Sequence, residues 1–403
     1  MYPCGNSLLS KSSVGDPILK CSIVNSTVQN LDCLPGTPQH YDLSGRSTSS
    51  SGSSSVLSIH TTRRIPSRVQ VSGYSHTLLL LKGGDVVGFG CNTSGQISSC
   101  LPDEVYVPHK LNVSNIVSIS AGVDHSLLLA LDGTVYGLGG NQFNQINQSN
   151  ESILPLSVID CPYNVTKVIA GGRYSFALTD NGQLIQWGGN QPIKLIDVPS
   201  ISMIDNYDDV LIMITGDGSV MTYTKGWVPL RRLLFDPVST VERYYEQSWS
   251  VKSYDINAVC VAAGYNHFLI VDVSGDVWSW GINSKGETGL GHLNRVKQPT
   301  RIPELENVRK VAASGDVSIF LNNHGEVYFA GDNENQCFGF QDEETIRIPR
   351  KIPYLSNIKR VFAGSFNVFA YSKGRLWAYG CNSYGQCGSR DNQDCKSPKL
   401  IGV

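Results

Sequence analysis

One motif recurs along this chain at a nearly constant spacing. The stretch "VSGYSHTLLLLKGGDVVGFGCNTSGQ" (71–96) aligns without gaps to "SAGVDHSLLLALDGTVYGLGGNQFNQ" (120–145). Further copies begin at 169, 262, 312 and 362, and a degraded one occupies 210–226. Their turn glycines, Gly84, Gly133, Gly182, Gly218, Gly275, Gly325 and Gly374, lie 49, 49, 36, 57, 50 and 49 residues apart. A period near 49 kept over some 300 residues means that one supersecondary unit is stacked seven times.

Each unit can be read from its residues. A short apolar run such as "HSLLLAL" is a buried strand. Asp132-Gly133, Asn181-Gly182 and Asp217-Gly218 are dipeptides that tolerate positive φ at both central positions of a two-residue hairpin turn. The following run, "TVYGLG" or "DVWSWG", alternates residue type as a second strand with one face on a core. A loop reading Gly, any, Asn, two residues, Gly, Gln comes next (Gly90, Asn92, Gly95, Gln96; Gly380, Asn382, Gly385, Gln386). Asn144 stands for the second glycine in one copy, as a left-handed backbone position allows. The unit closes on Pro, two residues and an aliphatic, as in Pro299 to Ile302, with a short strand expected after the proline and another before the next Ala-Gly. The fold class predicted is all-β: a seven-bladed β-propeller of four-stranded repeats about 49 residues long.

Composition agrees. Forty glycines in 403 residues are about a tenth of the chain, above the usual ~7%, and favour tight turns. A formal net charge of -2 gives no global field toward nucleic acid or anionic lipid. Apolar runs fall short of the ~20 residues of a membrane span, and "MYPCGNSLLSKSS" lacks a secretory apolar core. An intracellular protein, in cytoplasm or nucleus, is expected. The eleven cysteines, an odd number without CxxC pairs or zinc-type spacing, read as reduced, mostly buried thiols.

The Ala-Gly-x-x-His, Asp-Gly, Trp-Gly-x-Asn-x-x-Gly-Gln and Pro-x-x-Ile elements together resemble the repeat of the regulator of chromosome condensation family, over roughly residues 65–403. The resemblance implies a seven-bladed propeller. It also implies a link to small GTPases, because the founding member is a guanine nucleotide exchange factor for Ran that also binds nucleosomes. The resemblance stops at the repeat motif: no individual exchange residue carries over. The strongly basic N-terminal tail of the founding member is missing, as are the Gly-Trp-Arg-His repeats of the plant ultraviolet-receptor branch.

Three regions depart from the repeat. Residues 1–42 form an N-terminal segment with a worn half-repeat ("YPCGN", "DPILK"), read as a strand that closes the ring, and 43–60 are a Ser/Gly-rich linker or loop. Within the propeller (61–403), the fourth repeat is degenerate, with Tyr207 and Val210 replacing its Ala-Gly-x-x-His element, and an atypical loop spans 225–255. That loop carries Trp227, Arg231, Arg232, Phe235, Tyr244, Tyr245 and Trp249, of the residue types enriched at interface hot spots, and its first six are the partner-binding candidates.

Catalytic chemistry finds little footing. His76, His125 and His267 recur at one place in the unit, whereas a catalytic histidine is needed once; hydrogen bonding between neighbouring blades is the expected role. Nucleophile-elbow, zincin and dinucleotide fingerprints are missing, so no catalytic residue, cofactor or metal is assigned. "GINSKGET" (281–288) differs from a phosphate-binding loop only in having Glu287 for the lysine, but it recurs as "GCNTSGQI" and "GCNSYGQC" and is read as a blade turn. Two functional readings follow. One is a monomeric scaffold or regulator binding partner proteins on one face of the ring; the other is a guanine nucleotide exchange factor for a small Ras-like GTPase of Ran, Rab or Arf type.

Overall fold

The computed structural model describes residues 69–225, 249–334, 338–340, 343–364 and 366–402. They form seven four-stranded antiparallel sheets, each a simple meander, spanning 70–110, 116–159, 165–196, 201–254, 258–301, 308–351 and 360–401. These are the seven blades of the expected propeller, and no helix occurs among the described residues.

The core is not one cluster but seven, each lying between two neighbouring blades. Leu78, Leu80 and Ile97 of blade one pack with Ile116, Ile119 and Leu128 of blade two. Phe329, Phe338 and Ile346 of blade six pack with Val361, Val368 and Tyr379 of blade seven. The ring is closed the same way, by Leu79, Val87 and Phe89 of blade one against Phe369, Leu376 and Ala378 of blade seven. Hydrogen bonds cross that seam as well: Thr77 Oγ1 donates to Gln386 O at 2.8 Å, Arg360 Nη1 to Val69 O at 3.2 Å and Arg390 N to Tyr106 O at 3.2 Å. The predicted ring-closing strand within 1–42 and the linker 43–60 lie outside the described residues.

Because a blade is covered on both faces, its middle strands do not alternate. Val86–Cys91, a third strand, is buried at every residue, where the sequence suggested one buried face. The outer, fourth strands are mostly exposed or half-buried, as in Gln191–Ile196 and Val296–Arg301.

Two turn assignments need correction. In blade two Gly133 N donates to Ala130 O and Ala130 N to Thr134 O, so the hairpin loop has three residues, not two. Only Gly133, at φ +101°, is left-handed; Asp132 instead accepts the Thr134 N–H at 2.9 Å. The two-residue form appears in blade seven, where Lys373 and Gly374 both have positive φ between paired Ser372 and Arg375. The closing prolines lie within the fourth strands rather than before them. Pro299 sits where the register slips between Ser279↔Thr300 and Gly281↔Val296, a bulge on an edge strand where no ladder N–H is required. The stretch 225–255 is likewise not all loop: Trp249–Tyr254 is the fourth strand of blade four, paired with Val220–Lys225.

Candidate functional site

In a meander, the turns between strands one and two and the loops between strands three and four open on the same face of the ring. The recurring loop asparagines organise that face. Asn92 Nδ2 donates to the carbonyls of Ser98, Leu101 and Pro102 (2.9, 3.2 and 3.0 Å), while its Oδ1 accepts from Ile97 N and Ser98 N (2.9 and 3.2 Å). Asn141, Asn283, Asn333 and Asn382 repeat the bond to the backbone N–H five residues on. The following glutamines fold back in turn: Gln96, Gln145 and Gln386 accept from the backbone N–H two residues earlier. Each loop is therefore pinned from inside, and the pair after the asparagine is left outward, as with Ser383 and Tyr384, the latter 44% exposed.

The histidines join blades. His76 Nε2 meets Ser126 Oγ of the next blade at 2.8 Å, and that hydroxyl donates to Gln96 O at 2.7 Å. His125 with Ser175, and His267 with Ser318, repeat the relay at 2.9 and 2.8 Å. Since each serine gives its proton to a carbonyl, each imidazole is assigned as Nε2–H. Burial drives His76 and His267 down to about 3, so they stay neutral. Their role is structural, between blades, as the recurrence suggested.

Glu287 in "GINSKGET" occupies the glutamine position and accepts the Lys285 N–H at 2.7 Å. It is 1% exposed, and burial pushes its carboxyl up to about 7. A folded pKa above the ordinary 4.5 means that this group's contribution to stability is present below pH 4.5 and lost as pH rises through 7. Glu287→Gln keeps the acceptor without the charge. It should stabilise the protein by about 2 kcal/mol at pH 8, with the difference vanishing near pH 4.5; denaturant unfolding of both chains at the two pH values measures this.

Blade four breaks the pattern at this face. Asp209 Oδ1 accepts the N–H groups of Gly172, Arg173 and Tyr174 (2.9, 3.2 and 3.1 Å), capping the turn of blade three. Burial, with Asp209 beside it, raises the Asp208 carboxyl to about 7. Tyr207 lies 5.2 Å from Tyr74 of blade one and 5.8 Å from Tyr265 of blade five, ring to ring. Blades one and four are three apart in the ring, so these tyrosines meet across the mouth of its axis. On blades five and six Lys285 bridges Glu334 at 3.1 Å and Asp332 at 3.7 Å.

The candidates Trp227, Arg231, Arg232, Phe235, Tyr244 and Tyr245 lie outside the described residues. Sequence reading missed a second set, on the ring axis: Lys167, Asp205, Lys310 and Arg360, all on first strands. The signal was in the repeat itself, since Lys167, Lys310 and Arg360 each stand three residues before the residue that opens the turn. Among the described residues no group of three or more His, Cys, Asp or Glu is placed to hold a metal, and no helix is long and apolar enough to cross a membrane.

The RCC1-like domain model matches residues 71–403. Protein RCC2 homolog of Danio rerio is 33% identical over 141 residues, which are 33% of this chain and 28% of that protein. Human RCC1-like G exchanging factor-like protein is 35% identical over 81 residues, 19% of this chain and 18% of that protein. The matched stretches thus span less than a third of these relatives. Among solved structures, Prp20p of Saccharomyces cerevisiae, described with its binding to Gsp1p and histones, superposes at TM-score 0.68 and 19% identity, covering 83% of this chain and 87% of that one. Human WBSCR16 superposes at 0.65 and 20%, covering 79% and 94%. With seven blades, three histidine–serine relays between neighbours, asparagine-pinned loops and a family match over nearly the whole described ring, this chain belongs to the RCC1-like domain family.

Proposed function

We propose that this propeller is a scaffold or regulator that binds partner proteins through its loop face, inside the cell, in cytoplasm or nucleus. The observation that carries the reading is the division of labour in the loops. Their motif residues are spent on bonds within the loop, while the two positions after the asparagine differ from loop to loop and are exposed or half-buried: Thr93-Ser94, Gln142-Phe143, Ser284-Lys285 and Ser383-Tyr384. Rigid loops with variable tips bind with little ordering cost. Residues 225–255, with Trp227, Arg231, Arg232, Phe235, Tyr244 and Tyr245, extend this surface in the proposal. A photo-crosslinking residue at Tyr384 should capture partner protein, whereas one at Leu400 on the outer strand should not; equal capture at both overturns the choice of face.

A second reading, guanine nucleotide exchange on a small Ras-like GTPase, draws on the likeness to the human G exchanging factor-like protein. Release of labelled GDP from Ran-, Rab- and Arf-type GTPases separates the two. A GTPase bound with its release rate unchanged supports the scaffold; acceleration by about 100-fold or more supports exchange and removes the scaffold-only reading.

A further inference from the structure

The first strands of the blades surround the ring axis, and their register puts three cations at one depth. Lys167 of blade three pairs with Leu178, Lys310 of blade six with Leu321 and Arg360 of blade seven with Tyr371, the same rung in each blade. Lys310 interacts electrostatically with both of the others and with Asp205 of blade four. Lys167 is anchored, its Nζ donating to Ile204 O at 2.6 Å. Asp205 is engaged as well, its Oδ2 accepting the Ala263 N–H at 3.1 Å. Lys310 has the Cys260 thiol beside it, and among the described residues it forms no ion pair.

Lys310 faces a cavity of about 150 Å³ on the axis, whose wall also carries Ser72, Asn206 and Asp205. Ser72 Oγ accepts the Ala121 N–H at 2.9 Å, which leaves its own hydrogen to give inward. Tyr74 and Tyr207 line the end nearer the loop face, where Asp208 stands among Asp209, Asp124 and Arg173 rather than beside Lys310. Around the lysine depth three cations and one carboxylate interact, and of the cations Lys310 lines the cavity while Lys167 and Arg360 stand behind it on the carbonyls of Ile204 and Val69. Like charges brought together away from bulk water repel, and a counter-anion relieves that repulsion.

We propose that the ring axis is a binding site for one small free oxyanion, of phosphate or sulfate size, held by Lys310 with Lys167 and Arg360 behind it and Ser72 as a neutral donor. The expected size comes from the cavity: its volume of about 150 Å³ is half the ~300 Å³ at which sites for drug-sized ligands begin. The proposal is therefore for the free ion, and a phosphate carried on a nucleotide or a peptide is the competing occupant.

The test uses the full chain with inorganic phosphate and sulfate as probes, against potassium chloride at matched ionic strength. Equilibrium dialysis with labelled phosphate should give one site per chain, and the melting temperature should rise with phosphate beyond the chloride control. Lys310→Gln should weaken binding at least tenfold, Lys310→Arg should retain most of it, and Lys167→Gln should fall between, each with an unchanged circular dichroism spectrum. If Lys310→Gln does not fold, dialysis on the unaltered chain and on Lys167→Gln decides. No stoichiometric phosphate over chloride, equal binding by folded Lys310→Gln, or displacement by ATP as potent as by sulfate would each overturn the assignment.

Discussion

Alanine at Gly281 is expected to destabilise the protein by about 4 kcal/mol, lowering the thermal midpoint by roughly 6 °C. Gly281 ends the third strand of blade five with φ +127°, a backbone state that L side chains rarely adopt. A Cβ there would lie 2.5 Å from His267 Cα and closer still to Asn266 O. That carbonyl cannot give way easily, because Ile282 N donates to it at 2.8 Å and His267 beside it is held in the inter-blade relay. Strain at the residue and the clash with backbone therefore add. Gly374 supplies the control: its φ is +79°, but nothing lies within 4 Å of its virtual Cβ, so alanine there should cost only about 1 kcal/mol. Denaturant unfolding of the two variants side by side measures the difference, and equal losses would show that the clash is not the cause.

Asn141→Ala should cost about 3 kcal/mol and loosen the blade-two loop before the ring unfolds. The side chain is 1% exposed; its Oδ1 accepts from Ile146 N and Asn147 N at 2.9 and 3.1 Å, and its Nδ2 donates to Glu151 O at 3.2 Å and Ser149 O at 3.4 Å. Removing it strands the Ile146 N–H inside the protein. Asn141→Asp should not rescue, because a carboxylate would keep the two acceptor bonds while facing the Ser149 and Glu151 carbonyls. Hydrogen exchange should show protection lost at Ile146 and Asn147, with the second strand His125–Ala130 changed only in proportion to global stability. Protection retained at Ile146 would contradict the pinning role.

The glycines of the repeat illustrate what could be read in advance and what could not. Gly281 was legible as a turn residue, but its requirement comes from Asn266 O, fifteen residues earlier, which reaches it only when strands two and three pair. Asp132-Gly133 was legible as a hairpin, yet its length was not, because the same dipeptide suits a two-residue turn and a three-residue turn closed by a glycine bulge. The histidines were placed correctly between blades from recurrence alone. Their serine partners, 50 or 51 residues later, sit one residue past the matching place of the next repeat.

The sequence by itself determined the unit and its number. Period, turn dipeptides and loop asparagines are local chemistry, repeated until the pattern exceeds chance. Only the tertiary structure decided how the ring closes, on Phe89 against Phe369, and what stands on its axis. Lys167 and Lys310 share one position of the repeat, in blades three and six, but that this position lies on the axis, beside Asp205 of blade four, follows only from the closed ring. Closing the ring carries every first strand to the axis, and so sets the charges of distant repeats side by side.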